Sequence, residues 1–171
     1  MEIRKILCII AGIITLLATY VFAWFVVDIL GTNYYGHGIG VIMSLPDTFA
    51  NAEAIATVWG APTFAIYIVG GCLIFFLFSG IIILLGLKYR VFAIIGAIMP
   101  ILIAIAVISG PFNAPPNLID YISLFSSETL GGFPLNLAIG PSAFGASVSL
   151  GNYLLLAGGV LGIISGVLPK D

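Results

Sequence analysis

Val148 to Leu168 reads VSLGNYLLLAGGVLGIISGVL, 21 residues without a charged side chain. At 1.5 Å per residue that is long enough to cross the ~30 Å hydrocarbon core of a bilayer. Gly158, Gly162 and Gly166 recur at every fourth position, so they lie on one helical face. Association of helices in lipid is driven by packing rather than by hydrophobicity, and a face without side chains lets a neighbour come close. The stretch therefore predicts a spanning helix with a close-packing face, turned to a helix of the same chain or of another.

The rest of the chain agrees with a membrane setting. Only 7% of its 171 residues are charged and 61% are hydrophobic, with a mean hydropathy of +1.27. A soluble domain carries about 25% charged residues. The five basic residues fall at three places: Arg4 and Lys5, Lys88 and Arg90, and Lys170. Four apolar spans lie between them, at about 6–27, 62–87, 91–109 and 148–168. Lys and Arg are retained on the cytoplasmic side of membranes. The expected fold is thus an all-α membrane protein, a single four-helix domain over 1–171 in the cell (plasma) membrane. Both termini and the 88–90 turn are expected inside, and loops 28–61 and 110–147 outside.

The first span opens with Arg4-Lys5 and reaches Val21-Phe22-Ala23, an arrangement shared with signal peptides. Its length marks it instead as an anchor helix, with Tyr20, Trp24 and Phe25 as interfacial aromatics and Asp28 at the water boundary. Cys8 and Cys72 are expected at depths about 20 Å apart, far beyond disulfide reach, and read as buried small hydrophobes.

In the first outer loop the GTNYYGHGIG stretch (31–40) reads as flexible loop, since no basic residue accompanies its glycines. A short helix is expected over 47–58, starting after Pro46, with Phe49, Ala52, Ala56 and Trp59 on one face and Asp47 and Glu53 toward water. Pro62 suits the first turn of the second span, and Pro100 predicts a kink in the third. In the second outer loop Asn117 can cap a helix to about Glu128, whose apolar face includes Leu118, Ile122 and Phe125. Residues 135–139 and 146–150 alternate as a small β-hairpin would. Trp59, Leu118, Ile122 and Phe125 are the candidate partner contacts.

The cores of the four spans hold no ionisable residue, whereas pumps, ion-coupled transporters and proton relays depend on such groups. His37, with Asp28, Asp47 and Glu53, is the weak metal candidate of the first loop. A solvated histidine is the plainer reading. No nucleophile–base pattern marks an enzyme, and no cofactor or nucleic-acid partner is expected.

Four helices with both ends inside and two outer loops resemble the layout of claudins and tetraspanins. The resemblance stops at layout. The first loop has no cysteine for the claudin Trp…Gly-Leu-Trp…Cys…Cys pattern, and the second lacks the tetraspanin Cys-Cys-Gly. The functional expectation is a non-enzymatic structural or accessory subunit of a membrane assembly, packed on other subunits or on copies of itself. One alternative is a surface interaction protein using the acidic outer loops. Another is a small-molecule or lipid-handling channel lined by Ser79, Ser109 and the bend at Pro100.

Overall fold

The computed structural model describes residues 3–29, 31–113, 126–127, 134–137 and 146–169. Its elements in order are α1 (Ile3–Tyr20), β1 (Phe25–Ile29), β2 (Thr32–Gly36), α2 (Gly38–Ala50), α3 (Ala52–Trp59), α4 (Thr63–Leu77), α5 (Ser79–Leu85), α6 (Arg90–Asn113), β3 (Ser126–Ser127), β4 (Ala146–Val148) and α7 (Leu150–Val167). Among the described residues three helices are long and apolar enough to cross a membrane: α1, α6 over Arg90–Ile108, and α7. The second of the expected spans is divided at Phe78 into α4 and α5.

The helices are packed with their small residues inward. On α1 the buried face carries Arg4, Cys8, Ala11, Thr15 and Ala18, while Ile6, Ile10, Ile13 and Leu17 are exposed. On α7 the buried face carries Gly151, Leu155, Gly158, Gly162 and Ser165, while Val160, Ile164 and Val167 are exposed. Both buried series advance by four and three residues alternately, the 3.5-residue repeat of helices that cross at a shallow angle. Lipid tails are as apolar as isoleucine, so bulky side chains gain nothing by hiding from them, and close contact selects glycine, alanine and threonine for the interior.

α7 is wedged between α1 and α6. Gly158 abuts Thr15 and the Ala11 carbonyl, whereas Gly159 and Gly166 abut Ile101 and Ile94 of α6. A Cβ at Gly162 would fall 2.9 Å from that of Ala97. α5 approaches α1 equally closely. A Cβ at Gly12 would lie 3.1 Å from the Gly80 carbonyl, and one at Gly80 would lie 3.1 Å from the Gly12 carbonyl.

At the basic end of the bundle Arg4 is 3% exposed, and its Nη1 donates to the Gly86 carbonyl at 3.1 Å. Its Nη2 reaches the Leu87 carbonyl at 3.4 Å. These carbonyls close α5, where the helix dipole favours a cation.

The opposite end departs most from expectation. α1 stops at Tyr20 instead of reaching residue 27, and Asp28 lies in β1. The run Phe25–Ile29 is rich in aromatic and β-branched residues, which suit a strand. Gly31, at φ 85, allows the tight reversal into β2, with Asp28 Oδ1 accepting from the Gly31 N–H at 2.8 Å. The stretch read as flexible loop is therefore a strand followed by a helix start. β1 pairs antiparallel with β2 over Phe25↔Gly36 to Ile29↔Thr32, and with β4 over Phe25↔Val148 to Val27↔Ala146. A two-residue edge strand, β3, completes the order β3-β2-β1-β4.

Further differences follow from this sheet. Ala146–Val148 pairs with β1 and Leu135 bridges Phe22, while the two arms of the expected hairpin meet where Leu150 N–H donates to the Leu137 carbonyl at 2.8 Å and Ser149 Oγ to Asn136 Oδ1 at 3.0 Å. Residues 138–139 lie outside the described set. The helix expected over 117–128 also lies outside it, except that Ser126–Ser127 is a strand beside β2. The helix expected over 47–58 is two helices broken at Asn51, and Pro46 lies within α2 rather than before a helix. α6 continues through Pro100, which is fully buried. Cys8 is buried with Sγ donating to the Ile83 carbonyl at 3.0 Å, but Cys72 is exposed.

Candidate functional site

Polar side chains inside the molecule gather where α1, α2, α7 and the sheet meet. Trp24 is 2% exposed, and its indole N–H donates to the Ala18 carbonyl at 2.8 Å. It stands edge-on to Phe76, ring centroids 5.1 Å apart at 81°. This plug covers the end of α1 and joins Val41, Leu73, Leu77 and Leu155 in the largest apolar cluster. The start of α7 is tied to the same segment: Ser149 N–H donates to the Trp24 carbonyl at 2.9 Å, and Gly151 N–H to that of Ala23 at 3.0 Å.

His37 is 1% exposed, not solvated. It sits between Gly36, which lies against the Phe25 ring, and Gly38, which lies against the Thr19 carbonyl and Leu77. As the N-cap of α2 it accepts at Nδ1 from the Gly40 N–H, 3.4 Å away. Accepting at Nδ1 places the neutral ring's proton on Nε2. A nitrogen already engaged by a backbone donor is not offered to a metal or a substrate proton.

Deeper in the bundle, Asn152 Nδ2 donates to the Ala104 carbonyl at 3.2 Å, and Thr19 Oγ1 to that of Thr15 at 2.8 Å. The Oδ1 of Asn152, Oγ1 of Thr15 and Oγ of Ser79 are buried without a hydrogen-bond partner among the described residues. They lie on three different helices, α7, α1 and α5.

The four weak metal candidates are dispersed. Asp28 is on the exposed side of the β-hairpin, His37 is sealed inside, Asp47 is exposed on α2 and Glu53 is exposed on α3. Among the described residues no three His, Cys, Asp or Glu side chains group as a metal site would. Glu53 instead lines an open groove of about 410 Å³ with Asn51, Ala54 and Thr57. Gly158, Gly162 and Gly166 are brought together, all against helices of the same chain. Trp59 ends α3, but its side chain, like Leu118, Ile122 and Phe125, lies outside the described residues.

Sequence reasoning passed over Asn152 and the Gly12/Gly80 contact, read Arg4 only as a cytoplasmic cation, and placed Trp24 in an interfacial aromatic belt, whereas both side chains are buried. The 3.5-residue spacing of small residues on α1 carried a signal for Gly12 and Thr15. Nothing local linked Arg4 to Gly86.

Compared with protein-family models, curated proteins and solved structures, the chain matches none. By the length and composition of its helices it is a helical membrane protein.

Proposed function

We propose that the chain is a four-span, non-enzymatic subunit of a larger assembly in the cell membrane, with both termini cytoplasmic. α4 and α5 together form the fourth span. Helical bonds continue on either side of Phe78, from Phe78 N–H to the Ile74 carbonyl at 3.4 Å and from Ile82 N–H to the Phe78 carbonyl at 2.9 Å. The orientation is supported by the basic residues: Arg4 reaches the end of α5, and Gly166 near the end of α7 packs on the Arg90 carbonyl.

The observation that carries this reading is the close packing of the interior among the described residues. Phe76, Ile83, Ala97 and Leu155 are buried at the centre, and the glycines of α7 are occupied by α1 and α6. That speaks against the channel alternative, for Ser79 and Pro100 are enclosed in packing. With the glycine face turned to α1 and α6, the contacts to other subunits are assigned to outward surfaces. The native mass of the gently extracted complex, with every co-purifying chain identified, tests the proposal. A defined particle with other subunits or several copies is expected, and a lone chain of 17.9 kDa would count against it.

A second reading, surface interaction through the outer side, is favoured by the ordered platform of sheet, α2 and α3 that displays Asp28, Asp47 and Glu53. Exchange of these charges that abolishes partner capture while leaving the particle mass unchanged would select it.

A further inference from the structure

We propose that the first half of α2 is immersed in the outer leaflet, with Ile42 and Met43 against lipid acyl chains beside α4. This rests on the reading of α4 and α5 as one span. The exposed residues Ile74, Phe78, Ile81 and Leu85, three or four apart, run along that span as an apolar stripe, with Ile68 exposed nearer its outer end. α2 lies against the same helix and antiparallel to it. Gly38 fits beside Leu77, Phe49 covers Gly70, and the Phe49 and Tyr67 rings are 5.7 Å apart. Ile42 and Met43, one turn beyond Gly38, are therefore level with the Leu73–Ile74 step, within the stripe.

Their direction is outward. Ile42 is 48% and Met43 56% exposed, whereas Gly38 and Val41 are buried and Val41 joins the Trp24 cluster. The exposed stripe of α1 ends at Leu17, and α2 begins on the Thr19 carbonyl, so α2 prolongs the wall that α1 leaves short. One turn further, exposed Asp47 marks where the apolar surface stops. Beyond it α3 is turned 108° from α4 and shows Asn51, Glu53 and Thr57 to the outside, as a helix lying at the bilayer surface does. The level of Asp47, near Gly71, is about 24 Å from Leu87 at 1.5 Å per residue. The occupant is lipid because the patch is continuous with the lipid-facing stripes on both sides of it.

The test is spin-label accessibility in proteoliposomes of the full chain, with Cys72→Ala removing the exposed thiol. Labels are placed at Met43→Cys, Ile81→Cys and Glu53→Cys. Positions 43 and 81 are expected to collide with oxygen more than with a water-soluble nickel chelate, and position 53 the reverse. Nickel access at 43 with a lipid-like 81 overturns the immersion of α2 alone. Nickel access at 81 overturns the span on which it rests. Low access of both probes at 43 means that protein covers the patch, a second copy or another subunit, and overturns the lipid assignment.

Discussion

The guanidinium of Arg4 donates to the carbonyl of Gly86 at 3.1 Å across 82 residues of chain. It joins the start of α1 to the end of α5 and shields carbonyls that α5 leaves without helical donors. A hydrogen bond to a charged group contributes about 1.5–3 kcal/mol net. Arg4→Met keeps the length and removes the donors, so thermal unfolding in detergent is expected to shift down by an amount of that order. An unchanged melting temperature would show that the cap is ornamental to stability.

Gly158 packs closely on Thr15, and the Thr15 hydroxyl makes no hydrogen bond among the described residues. Gly158→Ala is expected to destabilise by about 1–3 kcal/mol, the range for overpacking. Thr15→Ala in the same chain should recover much of that loss, because the obstructing oxygen is gone and no bond is broken by removing it. A double-mutant cycle with no coupling would refute the contact.

Gly162→Leu separates two ideas about the glycine face. Packed on Ala93 and Ala97 of its own chain, the substitution is expected to lower folding yield and melting temperature. Loss of the oligomer from a normally folded chain, seen by native mass, would place the face between subunits instead.

Trp24 anchors the junction of α1 with the sheet through Ala18 and Phe76. Trp24→Ala is expected to cost about 3–5 kcal/mol, as for other buried aromatic truncations. Trp24→Phe should cost nearer the worth of one hydrogen bond, about 1 kcal/mol. Equilibrium unfolding of the two variants measures the difference.

Composition and charge placement by themselves determined the membrane class and the approximate places of α1, α6 and α7. Lipid accepts long uncharged runs whatever their partners, so each such run declares itself locally. The glycines four residues apart on α7 marked a packing face for the same reason. What only the tertiary structure decided is where α1 ends, that 25–36 is a hairpin, and which helices fill the glycine face. A strand is stabilised by pairing with residues far away in the chain, as Phe25 pairs with Val148, and an apolar run such as 21–29 suits helix or strand equally until that partner is present. The burial of His37 and the Arg4 cap arise in the same way, from surfaces that exist only once the helices have come together.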